Sequence, residues 1–451
     1  MKNLTNIRFR WPLLALGVLL LIAGCGNNGG ALPSTDTSSP SNASPSPSPS
    51  TSPIASTAPS ASPSASPGGS VPSVSPAPPA SPPDVDDPVE RQLKRMTLEE
   101  KIGQMIFAGV DGTTLGKDDR ATIADAKVGG IILYSRNVSD VKGTVSLLNA
   151  IKQANKANPV PLFLGVDQEG GKVSRLPSAY EKIPANQEVG AAKDEGLAGE
   201  MGSLLARELL SAGFNLDFAP VLDVNSNPNN PVIGPRSFGS SAKLVSQLGI
   251  AEMEGLRGGG VIPVAKHFPG HGDTSVDSHL DLPVVNKTAE QLAKLEWIPF
   301  KQAIENRVEA IMVAHILYPK LDPDKPASLS KELVGHQLRQ VLGYDGVVMT
   351  DDITMGAIVK HYTLPAAAVD AILAGDDIVL VAHGHDNMKT VRDSLLAAVK
   401  DGRLDEKRID ESVVRILRLK NDYALRDKNT SVPNLTKLNQ DIKAWRSSLT
   451  D

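Results

Sequence analysis

Residues 266–283 form the densest group of side chains that could do chemistry. Lys266, His267, His271, His279 and three aspartates lie within these eighteen residues, directly after an apolar run that predicts a strand. Three interpretations are open: a polar loop whose histidines cap turns, a metal site with the three imidazoles as ligands, and acid–base chemistry. The spacing matches no metalloprotease helix, and glycine and proline interrupt the segment, so the pattern favours acid–base chemistry.

Asp277 and His279 are the pair within this segment that best fits acid–base chemistry. In an extended segment, residues two apart point the same way. The carboxylate of Asp277 could then hydrogen-bond one nitrogen of the His279 imidazole, fix its tautomer and raise its pKa. A histidine held in this way can protonate a leaving group and later deprotonate water. We therefore predict that Asp277 and His279 act as an acid/base pair.

A second candidate group is the pair of adjacent carboxylates Asp351 and Asp352, at the end of another apolar run. Adjacent residues of a strand point to opposite faces, so only one of the two should reach a shared site. Asp351 is the first acid after the buried run, and we predict that it is a nucleophile. Asp352 is expected to hydrogen-bond the backbone or neighbouring loops. A helix N-cap remains the alternative role for Asp351.

A scaffold must bring these distant groups together. Eight short, β-branched-rich apolar runs predict parallel strands that helices cover on both faces: 105–109, 130–134, 161–167, 214–221, 262–267, 310–315, 346–351 and 377–383. Helical patterns cover 89–105, 141–155, 196–212, 242–257, 289–306, 333–342, 363–374 and 388–401. This alternation predicts an α/β fold, a single TIM (β/α)8-type barrel rather than an open sheet.

Polar residues end most of the predicted strands, and a barrel would gather them at one mouth. They are Asp167, Asp223, Lys266, His267, His315, Asp351, Asp352 and His383. The segment from Asp223 resembles the start of a calcium loop, but it lacks the glycine and the bidentate glutamate of an EF-hand. It is expected to shape the mouth, whereas His315 and His383 are expected to have lining or structural roles.

The ends of the chain differ in composition from the barrel. Residues 1–24 carry basic residues and then a short apolar run, which predicts a signal peptide. The run ends in a segment that resembles a bacterial lipobox, so Cys25 is the expected lipidation site; an ordinary signal peptide is the alternative. Residues 25–88, rich in Ser, Pro, Thr and Ala, predict a disordered linker. The catalytic domain is expected over 89–425, and a polar tail over 426–451.

Charge and cysteine content limit the possible partners. The net charge of −5 with both signs interspersed does not indicate nucleic-acid binding, and the single cysteine excludes an intrachain disulfide. The expected membrane contact is the N-terminal lipid anchor alone, which predicts an extracytoplasmic, membrane-anchored protein. A monomer without cofactor or metal is expected.

Several long motifs, taken together, resemble glycoside hydrolase family 3. They are Lys266-His-Phe-Pro-Gly-His-Gly-Asp, Asp277-Ser-His, Gly165-Val-Asp-Gln-Glu-Gly-Gly, Phe218-Ala-Pro-Val-Leu-Asp-Val and Arg236-Ser-Phe-Gly. The pattern is similar to the β-N-acetylglucosaminidase (NagZ-like) branch, from about residue 96 to 419, in a single-barrel lipoprotein form. Many members carry a second domain, and here the barrel loops alone are expected to complete the site.

The resemblance implies a retaining mechanism with Asp351 as nucleophile, His279 as acid/base and Asp277 as its partner. It also implies that five residues hold the sugar: Asp167, Arg175, Arg236, Lys266 and His267. Lys172 stands where the family often has arginine, but Arg175 is present at the expected sugar-binding position.

The implied activity is that of an exo-β-N-acetylglucosaminidase acting on cell-wall-derived or related saccharides. Alternatives are a β-glucosidase or other β-glycosidase of the family, a phosphorylase, a non-catalytic sugar-binding lipoprotein and a metal-dependent hydrolase. The phosphorylase alternative arises because a neutral imidazole does not repel an incoming anion as a carboxylate base would. Phosphate could then replace water.

Overall fold

The structure is a computed structural model that describes residues 87–449. Eight parallel strands close into one barrel in chain order, with β1 also paired to β8. They are β1 (Ile106–Gly109), β2 (Gly130–Leu133), β3 (Phe163–Val166), β4 (Leu216–Asp217), β5 (Ile262–Phe268), β6 (Ala310–Val313), β7 (Val347–Asp352) and β8 (Ile378–Val381). The predicted TIM-type barrel is confirmed. The signal peptide, Cys25 and residues 25–86 of the linker lie outside the described residues.

The strands form because their side chains are buried on both faces, inside the barrel and beneath the helices. Every residue of β2, β3, β5, β6 and β8 is buried, as expected for parallel strands covered on both sides. β4 is much shorter than the run predicted at 214–221. Pro220 lies in that run, and a residue without an N–H group cannot donate to the ladder.

Helices surround the barrel. Within residues 87–449 the α-helices are α1 (Pro88–Leu93), α2 (Leu98–Gln104), α3 (Lys117–Ala124), α4 (Val141–Ala154), α5 (Asn186–Ala192), α6 (Glu195–Ala212), α7 (Ala242–Gly258), α8 (Ala289–Ala293), α9 (Trp297–Glu305), α10 (Gly356–Val359), α11 (Leu364–Ala374), α12 (His385–Lys400), α13 (Glu406–Asp422) and α14 (Thr436–Ser447). A π-helix spans Lys331–Val341. None of them is long and apolar enough to cross a bilayer.

Two of the predicted helices are each divided in the structure. The one predicted at 89–105 is α1 and α2, because Thr97 forms a capping box with Glu100 and starts a new helix. The one predicted at 289–306 is α8 and α9. The predicted polar tail at 426–451 also needs correction, since it contains α14. Leu438, Ile442 and Trp445 of this helix are buried, and it packs against α6.

Candidate active site

A cavity of about 510 Å³ opens at the carboxyl ends of the barrel strands. All eight side chains that the sequence predicts for catalysis and sugar binding line it: Asp167, Arg175, Arg236, Lys266, His267, Asp277, His279 and Asp351. They come from five different loops or strand ends, so the barrel closes around groups that are far apart in the chain. The residue placement is therefore as predicted, and the roles of the individual residues stay predictions.

Lys266 lies at the centre of a buried charge network in this cavity. Its Nζ lies 2.6 Å from Oδ1 of Asp167 and 2.6 Å from Oε1 of Glu169, both just after β3. Burial alone would lower the pKa of Lys266, but the two carboxylates outweigh it and raise that pKa. Lys266 therefore stays charged and fixes both carboxylates in place.

Glu169 is the member of this network that the sequence analysis did not single out. Arg236 binds its carboxylate through Nε at 2.8 Å and Nη2 at 2.7 Å, a bidentate pair. Burial would raise the pKa of Glu169, but Arg236 and Lys266 hold it far below its ordinary value. Glu169 thus occupies two donors of Arg236, and its main effect is to orient the two cations.

His267 is held by a second buried carboxylate. Its Nδ1 lies 2.6 Å from Oδ2 of Asp223, and its Nε2 lies 3.3 Å from Nη2 of Arg236. Because Nδ1 faces a carboxylate it carries a ring proton, and Nε2 faces the guanidinium of Arg236. Asp223, expected only to shape the mouth, therefore also sets the orientation of His267.

Asp167 and Arg175 keep free hydrogen-bonding groups in the cavity. Oδ1 of Asp167 accepts from Lys266, whereas Oδ2 has no hydrogen bond to any residue of 87–449. The Arg175 guanidinium likewise has no partner in this part of the chain, although the Arg175 backbone N–H donates to Gln168. Hydroxyl groups of a pyranose need such unoccupied acceptors and donors.

Asp351 faces the cavity from the end of β7. Its Oδ1 accepts a hydrogen bond from the N–H of Asp352 at 2.8 Å. Burial would raise the pKa of Asp351, but the imidazoles of His315 and His267 and the Asp352 N–H lower it below its ordinary value. The carboxylate is therefore ionised at neutral pH, as a nucleophile must be.

Asp352 points away from Asp351 into the protein, as the alternation of a strand requires. Its carboxylate accepts from the N–H groups of Thr354 and Ala382 at 3.0 and 3.1 Å, and contacts Nδ1 of His383 at 2.9 Å. It ties the end of β7 to the end of β8. The expectation that Asp352 bonds backbone and neighbouring loops is confirmed, and so is the lining role of His383.

Asp277 and His279 make the predicted contact, but the backbone conformation that allows it differs from the predicted one. Residues 277–281 form a turn, not an extended segment, because the N–H groups of Leu280 and Asp281 both donate to the Asp277 carbonyl. Oδ1 of Asp277 accepts from both the N–H and Nδ1 of His279, each at 2.9 Å. Burial would raise the pKa of Asp277, but these two bonds lower it. Nε2 of His279 is left free, and its side chain is 67% exposed.

Two further buried histidines, His271 and His315, are hydrogen-bonded to groups of the protein. His271 is buried and bonds Thr274 at 2.7 Å and Ser278 at 3.3 Å, so it shapes the loop. His315 is buried between Ser328 and the Asp352 carbonyl, which agrees with a structural role. Within residues 87–449, no three His, Cys, Asp or Glu side chains are arranged to hold a metal ion.

Comparison with known proteins places this site in a family. The model for the glycosyl hydrolase family 3 N-terminal domain matches residues 97–419, which is most of the chain. The chain belongs to glycosyl hydrolase family 3. β-Hexosaminidase A of Pseudoalteromonas piscicida is 34% identical over 348 residues, which cover 72% of this chain and 58% of that protein. The chain thus spans less than two thirds of this relative's length.

Two solved structures are also similar to this chain. The β-N-acetylglucosaminidase of Paenibacillus sp. FPU-7 has a TM-score of 0.73 at 42% identity, covering 78% of this chain and 68% of that chain. NagZ of Neisseria gonorrhoeae, solved with N-trifluoroacetyl-D-glucosamine, has a TM-score of 0.63 at 31% identity. The match covers 77% of this chain and 98% of that chain. The resemblance to the β-N-acetylglucosaminidase branch of family 3 is confirmed, and the protein is a glycoside hydrolase.

Proposed function

We propose that this family 3 protein is a retaining exo-β-N-acetylglucosaminidase that works through a covalent glycosyl-enzyme. The observation that carries the proposal is the arrangement of an ionised Asp351 and the hydrogen-bonded pair Asp277–His279 around one cavity. Asp351 attacks the anomeric carbon while Nε2 of His279 protonates the leaving oxygen. The same nitrogen then takes a proton from the water that releases the sugar. Asp277 holds Nδ1 and leaves Nε2 for this work.

The sugar is held by the charge network around Lys266. Oδ2 of Asp167 accepts a hydrogen bond from a hydroxyl, and the Arg175 guanidinium donates to a ring substituent. Lys266 and Arg236 place these groups rather than act alone, because carboxylates take two of the three N–H donors of Lys266 and two of the five of Arg236. His267 completes the wall next to Arg236. Some of these side chains contact the sugar and others hold the contacting groups in place, and this arrangement supports tight recognition of one terminal sugar.

The names of similar proteins support the proposal that the sugar carries an acetamido substituent. Pseudoalteromonas β-hexosaminidase A is named for a hexosamine, the Paenibacillus enzyme is named for N-acetylglucosamine, and the Neisseria NagZ structure contains an N-acylated glucosamine. We propose the same class here, with cell-wall-derived saccharides as its source. Release of terminal N-acetylglucosamine fits a cavity closed on one side by the barrel.

The location and state of the enzyme are proposed from the sequence. The basic and apolar start of the chain and its single cysteine support lipidation at Cys25 and anchoring outside the cytoplasm. Detergent-phase partitioning of the full chain should be lost in Cys25→Ala, and a soluble wild-type chain would contradict the anchor. We also propose that the enzyme works as a monomer, which sedimentation of the purified chain tests.

A panel of 4-nitrophenyl β-glycosides that differ only at C2 tests the proposed activity. The N-acetylglucosaminide should be hydrolysed with a kcat/KM at least about 100-fold above that of the glucoside, because a site built to bond an amide leaves its polar groups unpaired when the amide is missing. Equal or faster turnover of the glucoside would contradict the proposal. Saccharide binding without any turnover would favour a sugar-binding lipoprotein.

A further inference from the structure

Residues 277–281, here called the dyad turn, carry the proposed acid/base pair outside the barrel wall. The turn is closed by backbone hydrogen bonds from Leu280 and Asp281 to the Asp277 carbonyl. These bonds fix the shape of the turn but not its position over the cavity. Its position depends on contacts with other elements, and three of these involve the segment that follows β7.

Two of the contacts are made by the backbone of α10, which begins four residues after Asp352. The N–H of Ala357 donates to the Ser278 carbonyl at 3.1 Å. The turn also lies so close to Gly356 that a Cβ there would come within 2.6 Å of the His279 carbonyl oxygen and 2.7 Å of that of Leu280. Only a residue without a side chain allows this approach.

The third contact is made by side chains at the far end of the turn. Nε2 of His361, just after α10, lies 2.7 Å from Oδ1 of Asp281. The same oxygen accepts from the N–H of Leu282 at 2.8 Å, so the carboxylate is oriented from two sides. Because the Asp281 N–H donates to the Asp277 carbonyl, this contact is connected directly to the acid/base pair.

We infer that Asp281 and His361 are positioning residues that hold the dyad turn against the segment after the nucleophile strand. The inference rests on the proposed function, in which Asp351 is the nucleophile and His279 the acid/base. One segment, running from β7 through α10 to His361, then fixes both catalytic groups relative to each other. Since a misplacement of about 1 Å can cost a large part of a catalytic effect, loss of this contact weakens proton transfer.

Two N-acetylglucosaminides with different leaving groups test the inference. N,N′-diacetylchitobiose has a poor leaving group that needs a proton from the acid, whereas the 2,4-dinitrophenyl glycoside leaves without one. In Asp281→Ala and in His361→Ala, we expect kcat/KM for the disaccharide to fall about tenfold, as part of the 10²–10⁴-fold that acid–base catalysis contributes. For the dinitrophenyl glycoside we expect a change of less than about twofold, because glycosylation by Asp351 is untouched.

Conservative variants and a double variant sharpen this result. His361→Gln keeps a donor, and Asp281→Asn keeps an acceptor, so each should recover most of the disaccharide activity. The double alanine variant should be no worse than either single variant, because both remove one shared contact. Gly356→Ala should show the same dependence on leaving group, although alanine is the better helix former by about 1 kcal/mol.

His336→Ala is the matched control. His336 makes the same kind of exposed contact, with Nδ1 2.9 Å from Oε1 of Glu332, but it lies on the π-helix and does not line the cavity. Its removal should leave both activities unchanged. Equal losses on the two substrates in Asp281→Ala, or no loss on either, would overturn the inference. A wild-type enzyme that hydrolyses neither substrate would instead overturn the proposed function.

Discussion

Replacing Asp351 by asparagine is expected to lower kcat on a β-N-acetylglucosaminide by about 10⁴-fold or more, the size of effect that loss of a nucleophile has in enzymes. The fold should not change, since the amide oxygen of asparagine can still accept from the Asp352 N–H. The loss is purely chemical, because a neutral amide cannot attack the anomeric carbon. Initial rates of 4-nitrophenol release, with a thermal melt for each variant, measure this.

Asp345→Asn provides the control for the nucleophile. Asp345 precedes the same strand at the opposite end of the barrel, is 87% exposed and pairs with Arg415 at the surface. Its replacement removes the same charge without reaching the cavity, so activity should stay within about twofold. An Asp351→Asn enzyme that keeps a tenth of the wild-type rate would mean that another group is the nucleophile.

The second large effect is expected for Lys266→Met. This change leaves the carboxylates of Asp167 and Glu169 without their shared cation, and breaking a buried ion pair costs about 3–5 kcal/mol of unfolding free energy. The melting temperature should fall by about 5–10 °C, and kcat/KM by about 100-fold because Asp167 no longer has a fixed orientation. Calorimetry and steady-state kinetics measure the two losses.

Lys101→Met separates the effect on stability from the effect on catalysis. Lys101 is also a buried lysine between two carboxylates, with Asp410 at 2.7 Å and Glu406 at 3.3 Å, but it lies on α2 and does not line the cavity. This variant should lose stability and keep its kcat/KM below the melting range. If Lys266→Met kept its kcat/KM within about threefold, the proposed placing of the sugar by this network would be wrong.

The barrel could be predicted from the sequence because buried parallel strands leave a strong signal. All eight runs of apolar residues became strands, and most of the polar residues at their ends line one cavity, whereas Asp223 and His315 do not. The boundaries were less predictable. β4 is shorter than its predicted run, which contains Pro220, and Thr97 divided a helical pattern because its side chain caps a new helix.

Parts of the site were not predicted, although the sequence held signals for some of them. Asp167 and Glu169 are two residues apart, and this spacing could have suggested that both reach Lys266. The contact of Asp277 with His279 was predicted from an extended backbone, and a turn produced it instead. The contact of Asp281 with His361 joins residues eighty positions apart and could not be read from local spacing.

The C-terminal helix α14 was also not predicted, although its apolar residues have a helical spacing. Leu438, Ile442 and Trp445 have the spacing of one helical face, and all three are buried in α14. This helix also contacts the loop that follows Arg175, because Asn439 bonds the Ala179 carbonyl at 2.8 Å. A polar tail was therefore predicted where the structure has α14, a helix packed on the barrel domain.

Trapping the covalent intermediate tests the central claim most directly. A 5-fluoro derivative of an N-acetylglucosaminyl fluoride forms the glycosyl-enzyme but slows its hydrolysis, so the labelled protein can be digested and its peptides sequenced by mass spectrometry. We predict one sugar per chain, attached to the carboxylate of Asp351, and no label in Asp351→Asn. A label on Asp352 or another residue, or turnover with inversion at the anomeric carbon and no trapped species, would contradict the account.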